Sequence, residues 1–151
     1  MNSRNRKDVD SLTLAIDQLS LILHLQESFP ELSGDRAFIT TRCDRASETY
    51  ENAVRAGHPP FEAVSLANEI LFQDLHFSKH DTLVTILWNE FADSIPQRSA
   101  KKIAIKLLPE CERVFAKYFL SDDFAYSPEF ELLYTELTGT ISIYLEEHGL
   151  Q

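Results

Sequence analysis

Apolar residues recur at intervals of three and four positions along almost the entire chain, the spacing that places side chains on one face of an α-helix. No stretch alternates apolar and polar residues convincingly over the length of a strand. The apolar runs are separated by residues typical of helix ends, namely Phe29-Pro30, Gly57, Pro59-Pro60 and Ile95-Pro96. The pattern predicts an all-α fold, a compact multi-helical bundle of about six helices.

The predicted helices cover residues 10–28, 35–56, 61–74, 78–95, 98–118 and 128–148. Ser78 followed three residues later by Asp81 is an acidic variant of the capping box, and Ser127 is expected to cap the last helix. Pro109 lies inside the fifth helix and predicts a kink or a division into two pieces. Gly139 lies in the middle of the sixth, which suggests close packing against a neighbour.

The same spacing predicts which side of each helix is buried. In the first helix, one face carries Leu12, Ile16, Leu19 and Leu23. In the second, the apolar stripe consists of Ile39, Cys43, Ala46, Tyr50, Ala53 and Val54, and in the third of Phe61, Val64, Ala67 and Leu71. Cys43 and Cys111 both fall on inward faces, so we expect buried free thiols that behave as small hydrophobic side chains.

The length of 151 residues favours a single domain over residues 1–151, with residues 1–9 as a weakly ordered tail. The net charge of −10 argues against binding to nucleic acid or to an anionic membrane, because both need Lys and Arg to neutralise phosphates. The apolar run after Arg4, Arg6 and Lys7 is interrupted by polar residues and lacks a cleavage site, which favours a cytoplasmic protein.

No catalytic residue, cofactor site or metal site is predicted. The chain has no Gly-rich phosphate loop, and the two glutamates beside Cys111 would disfavour a reactive thiolate. His76 and His80 are four residues apart with Asp81 adjacent, which on a continuous helix would aim both imidazoles at one ion. However, Ser78 is predicted to begin a helix between them, so polar residues without a ligand are the preferred interpretation.

Aromatic residues concentrate between positions 115 and 130, the segment joining the last two predicted helices. Most of them should pack this segment onto the core. An exposed Phe124 or Tyr126 would instead mark a partner-binding surface, since aromatic side chains are enriched at interfaces. From Tyr118 to the end there is no Lys or Arg, so the acids there either serve solubility or attract a basic partner.

Four segments carry a resemblance to a known family: Leu75–Val84, Leu87–Phe91, Ser121–Glu129 and Leu133–Thr140. They are similar to a bacterial family of short helical proteins from gut and oral anaerobes, a domain of unknown function. The resemblance covers the chain after about the first ten residues. It implies an all-helical fold and supplies no activity, cofactor or catalytic residue.

The sequence therefore favours a cytoplasmic helical protein that acts as a non-enzymatic interaction module. We expect a protein partner or self-association, with neither nucleic acid nor membrane as a target. The alternative is a small-ligand or metal-binding helical protein, or an enzyme, with a pocket near His76 and His80.

Overall fold

The computed structural model describes residues 17–149, in which all regular secondary structure is helical and no strand occurs. The helices are α1 (17–28), α2 (Arg36–Arg55), α3 (Pro60–Leu71), α4 (Lys79–Glu90), α5 (Ala100–Phe115) and α6 (Glu129–His148). Short 3-10 turns, Gln97–Ser99 and Phe124–Tyr126, precede α5 and α6. The predicted all-α fold is confirmed. The predicted tail 1–9 and the start of the first helix at residue 10 lie outside the described residues.

Most helices within the described residues begin close to the predicted positions, whereas α3, α4 and α5 end three to five residues before the predicted ends at 74, 95 and 118. The Ser78 Oγ accepts a hydrogen bond of 2.9 Å from the backbone N–H of Asp81, the expected cap of α4. Gly57 ends the turn after α2 at a φ of 97°, a left-handed conformation that glycine adopts without steric strain. The cap predicted at Ser127 is wrong, because its hydroxyl donates to the carbonyl of Phe124 and Pro128 occupies the N-cap position.

The described residues divide into two units, one ending at Gln73 and the other beginning at Asp74. The single domain over residues 1–151 stays a prediction. Within the first unit, α2 packs on α3, and the buried residues of these helices include Ala46, Ala53, Ala63 and Ala67. Such small side chains allow two helix backbones to approach closely.

The predicted orientation of the first helix is wrong over the described residues. Leu21 and Leu25 are fully buried, whereas Leu19 and Leu23 are more than half exposed. Both pairs have helical spacing, so the periodicity alone fits either face. Phe61, predicted to face the core from α3, is also exposed.

A buried arginine closes the C-terminal end of α3. Arg42 projects from α2, and its Nη1 donates to the backbone carbonyls of Gln73, Leu71 and Ile70 at 2.6, 3.2 and 3.4 Å. The last carbonyls of a helix have no partner within the helix, so a side-chain donor from α2 supplies one. Arg42 therefore ties the two helices together through hydrogen bonds in addition to apolar packing.

The second unit has its own core, formed by α4, α5 and α6. The fully buried side chains at its centre are Leu83, Ile86, Ala100, Ala104, Leu107, Cys111, Leu133, Leu137 and Ile141. Pro109 does not divide α5, which is one helix from Ala100 to Phe115. Gly139 is exposed, and a Cβ added there would meet no atom within 4 Å, so the predicted close packing is wrong.

A membrane span needs about 20 predominantly apolar residues. None of the helices within residues 17–149 combines that length with sufficient apolar character.

Candidate interaction surface

Phe124 anchors the segment between α5 and α6 in the core of the second unit. Its side chain is 3% exposed, and its ring packs edge-on against Phe77, Tyr118 and Phe130 at centroid distances of 5.1, 5.8 and 6.3 Å. Tilted and edge-to-face arrangements at such distances are favourable for aromatic pairs. Phe124 therefore belongs to the core and does not meet the condition of exposure that would make it a partner-binding residue.

Asp122 fixes the same segment to the turn that precedes α4. One carboxylate oxygen accepts from the backbone N–H of Asp74 and the other from that of His76, both at 3.1 Å. Asp74 has a φ of 64°, a left-handed conformation that Asp tolerates better than most residues. The carboxylate thus binds two backbone N–H groups of the irregular turn before α4. The sequence analysis treats Asp122 only as one of the acids after Tyr118, because the backbone groups that it binds lie far away in sequence.

Tyr118, Glu136 and Lys117 join the end of α5 to α6 by polar contacts. The Tyr118 hydroxyl donates to Glu136 Oε1 at 2.7 Å, and Lys117 Nζ donates to Oε2 at 2.9 Å. The hydrogen bonds from Tyr118 and Lys117 lower the pKa of the Glu136 carboxyl. The same bond, which only the neutral phenol can donate, raises the pKa of Tyr118.

Two aromatic side chains of this anchored segment point into solvent. Phe119 is 85% exposed and Tyr126 is 90% exposed. Asp123, Glu129 and Glu131 are exposed in the same part of the chain. We call these five residues the exposed aromatic surface. Tyr126 therefore has the exposure that the sequence analysis requires of a partner-binding residue. Phe119 was not predicted as such a residue, because its sequence neighbours do not distinguish it from the aromatic residues that pack inward.

The structure does not bring His76 and His80 into one pocket. His76 is exposed before α4, whereas His80 is buried in its first turn with Nε2 at 3.1 Å from the Lys101 carbonyl. His80 Nδ1 has no hydrogen-bond partner, although the Asp81 carboxylate lies 3.5 Å away. At that distance His80 Nδ1 and the Asp81 carboxylate make an electrostatic contact and not a hydrogen bond. Within the described range, no three His, Cys, Asp or Glu side chains form a group that could hold a metal.

The two cysteines are free and differ in accessibility. Cys111 is fully buried, and burial together with the adjacent Glu110 raises the pKa of its thiol to about 11. Cys43 is only partly buried, so the predicted burial is complete for Cys111 alone. Burial and then the charges of Asp44 and Asp17 raise the pKa of the Cys43 thiol. Neither environment favours a nucleophilic thiolate.

Two shallow hollows of ligand size lie away from the histidines. One in the first unit, of about 410 Å³, is lined by Gln18, Ile22, Ser33, Gly34, Arg36, Ile39 and Thr40. The other, of about 400 Å³, is lined by Phe130, Glu131, Tyr134 and Thr135 on α6. Neither hollow includes His76 or His80, the residues named for a ligand site.

Comparison with known proteins gives a family and a fold. A family model described as "Domain of unknown function (DUF1896)" matches residues 10–150. Among solved structures, the chain is similar to the crystal structure of protein PG0816 from Porphyromonas gingivalis, with 45% sequence identity and a TM-score of 0.90. The similarity covers 95% of this chain and 98% of that chain. A search of curated proteins found no match.

Proposed function

The chain belongs to the DUF1896 family, and on that premise we propose that it is a non-enzymatic interaction module that binds a basic segment of a partner protein. The exposed aromatic surface is the proposed binding site, with Tyr126 and Phe119 as its anchors. We assign the protein to the cytoplasm, where the free thiols Cys43 and Cys111 would remain reduced.

The observation that carries the proposal is the contrast between Tyr126 and Phe124 in one short segment. Phe124 is almost completely buried, whereas the Tyr126 side chain, two residues later, is 90% exposed. Large aromatic side chains in solvent contribute nothing to the core, and they are over-represented among residues that dominate binding energy. Phe119 repeats the same exposure a few residues earlier.

The rigidity of the segment also supports binding. Phe124 packs among three other rings, and Asp122 holds the turn at Asp74 and His76. The exposed rings therefore stand on an ordered support, so that binding would require little further loss of backbone freedom.

The charge of the region favours a basic partner. No Lys or Arg occurs from Tyr118 to the end, and the exposed residues Asp123, Glu129 and Glu131 lie close in sequence to the two aromatic residues. An acidic rim around apolar anchors speeds association with a cationic segment and disfavours acidic competitors. The affinity should consequently fall as the salt concentration rises.

The first experiment identifies the partner. A photo-crosslinking amino acid is placed at position 126, at position 119 and, as a matched control, at Phe61, an exposed phenylalanine of the first unit. We expect adducts at positions 126 and 119 that are absent at position 61. Mass spectrometry should place the crosslinked segment in a stretch rich in Lys and Arg. An identical adduct pattern at position 61, or no adduct at 126, would contradict the proposal.

The second experiment measures binding of a synthetic peptide with the crosslinked sequence. Tyr126→Ala should weaken binding at least about tenfold, as expected for an interface anchor, while Phe61→Ala should leave it unchanged. The melting temperature separates binding from folding. Phe124→Ala should lower it strongly, because it empties a buried aromatic site, and Tyr126→Ala should not. If Tyr126→Ala lowers the melting temperature as much as Phe124→Ala, the residue is structural and the proposal fails.

A second candidate function, a metal or small-ligand site near His76 and His80, has one observation in its favour. His80 Nδ1 is buried without a hydrogen-bond partner, beside the Asp81 carboxylate. Elemental analysis of the purified protein tests this function. Stoichiometric zinc or iron that is lost in His80→Ala would favour the site, and a metal-free protein would remove it.

A further inference from the structure

The outer face of α6 carries two exposed aliphatic side chains with a glycine between them. Leu132 is 61% exposed and Ile143 is 58% exposed. Gly139 lies seven residues after the first and four before the second, so that all three share one face of the helix. Glycine is unfavourable within a helix, and nothing within 4 Å of the missing Cβ requires it here. Because Gly139 has no side chain, the apolar stripe formed by Leu132 and Ile143 has a shallow depression at its centre. The packing within one copy does not require this depression.

The C-terminal half of α6 is acidic around this stripe. Glu146 and Glu147 are exposed beyond Ile143, and no basic residue other than His148 occurs in the helix. Two α6 faces packed against each other would therefore bring like charges together, which is unfavourable. A surface complementary to this stripe would be positively charged and would carry an aliphatic side chain at its centre.

The chain itself contains such a surface on α5. Ile105 is 49% exposed, and the exposed residues around it are basic: Arg98, Lys101, Lys102 and Lys106. No Asp or Glu occurs between Arg98 and Pro109. Lys101 and Lys102 precede Ile105 by four and three residues, which places all three on one side of α5, and Arg98 lies in the 3-10 turn directly before this helix. In a protein with a net charge of −10, this is a local concentration of positive charge around an apolar side chain.

We infer that these two faces bind each other between two copies of the chain, the α5 face of one copy lying on the α6 face of the other. Both helices belong to the unit from Asp74 onward, and they pack on each other around Leu107, Cys111, Leu133 and Leu137. Each copy therefore presents one basic and one acidic face on the same unit. A two-fold arrangement forms both contacts at once and closes the assembly as a dimer.

Charge also selects the direction of the two helices. The basic residues lie at the N-terminal end of α5, and Glu146 and Glu147 lie at the C-terminal end of α6. Antiparallel packing with Ile105 over Gly139 brings these ends together. It also pairs the positive end of one helix dipole with the negative end of the other.

Sedimentation equilibrium of the purified full chain, from about 1 µM to about 500 µM, tests the dimer. In about 50 mM salt we expect a reversible monomer–dimer equilibrium. We expect the dissociation constant to rise at least about tenfold in 500 mM salt, because exposed charges are then screened. A strict monomer over the whole concentration range overturns the inference, and so does a dimer that is insensitive to salt.

Charge reversal tests which faces meet. One variant combines Arg98→Glu with Lys102→Glu, and the other combines Glu146→Lys with Glu147→Lys. Each variant alone should dimerise at least about tenfold more weakly than the wild type. An equimolar mixture should recover association, because one contact is then native and the other has both charges reversed. A control with Arg36→Glu and Arg55→Glu, exposed arginines of α2, changes the net charge equally and should dimerise like the wild type. Failure of the mixture to recover association contradicts the pairing.

Gly139→Leu separates dimerisation from folding. Leucine favours helix and meets open space at this position in the single chain, so the melting point of the monomer should not fall. The side chain would nevertheless block close approach of Ile105 and weaken the dimer at least about tenfold. Dimerisation unchanged in Gly139→Leu contradicts the packing inferred here. These experiments use the protein alone, so that their failure would leave the proposed binding at Tyr126 unaffected.

Discussion

Replacement of Arg42 tests whether a single buried side chain holds the end of α3. In Arg42→Ala, the carbonyls of Gln73, Leu71 and Ile70 lose their donor, and the cation no longer lies over the Phe38 ring at 4.8 Å. We expect a clear loss of stability, because the last carbonyls of a helix lack donors within the helix and water reaches these carbonyls only in part.

The magnitude follows from the geometry. Hydrogen bonds from a charged donor contribute about 1.5–3 kcal/mol each, and only the bonds to Gln73 and Leu71 are short enough to count fully. The guanidinium gains hydration on unfolding, which offsets part of this contribution. We therefore expect Arg42→Ala to lower the free energy of unfolding by about 3 kcal/mol. For a chain of this length, that corresponds to a fall of roughly 6–12 °C in melting temperature.

Urea unfolding followed by circular dichroism at 222 nm measures the change. Arg42→Met retains most of the aliphatic stem and removes the donors, so it isolates the hydrogen bonds from the packing. Arg36→Ala, an exposed arginine at the start of the same helix, is the matched control and should change stability by less than about 0.5 kcal/mol. If Arg42→Ala and Arg42→Met both remain within about 1 kcal/mol of the wild type, the reasoning is refuted.

Three further outcomes follow from the second unit. Asp122→Ala should lower the free energy of unfolding by about 1–2 kcal/mol in urea titrations, because two backbone N–H groups lose their acceptor, whereas its exposed neighbour in Asp123→Ala should have little effect. The stability difference between the wild type and Tyr118→Phe should be constant between about pH 6 and pH 10, where Glu136 is ionised and Tyr118 is neutral. It should shrink above pH 10, because the bond to Glu136 raises the pKa of Tyr118 from 10.0 and only the neutral phenol donates; a difference independent of pH from 6 up to 11 would contradict this assignment. The Cys111 thiol should resist iodoacetamide at pH 8 in the folded protein and react after denaturation, as read by mass spectrometry, and rapid labelling of the native chain would show that the site opens.

Which aromatic residue is buried could not be predicted from the sequence. Phe124 and Tyr126 are both aromatic and lie two residues apart in one loop, yet one is core and the other is in solvent. Phe124 packs against the ring of Phe77, which lies far from this loop in the sequence. The sequence predicts that most aromatic residues of this segment pack on the core, and the tertiary packing decides which of them is buried.

Polar contacts between distant positions show the same limit. Asp122 holds backbone groups 46 and 48 residues earlier, and Arg42 reaches carbonyls 28 to 31 residues later. A sequence pattern identifies the charge of such residues and not the partner. The sequence analysis therefore assigns no specific role to Arg42 or Asp122, although each side chain fixes a part of the backbone.

The amino-acid sequence alone predicts that the chain forms helices and where most of them begin. These properties depend on neighbours within a few residues: the spacing of apolar side chains, the cap at Ser78 and the left-handed turn at Gly57. The buried face of each helix depends on tertiary packing. The first helix is apolar on several sides, so either Leu19 and Leu23 or Leu21 and Leu25 could have faced inward. Burial depends on the surface that packs against a helix, and that surface comes from a distant part of the chain.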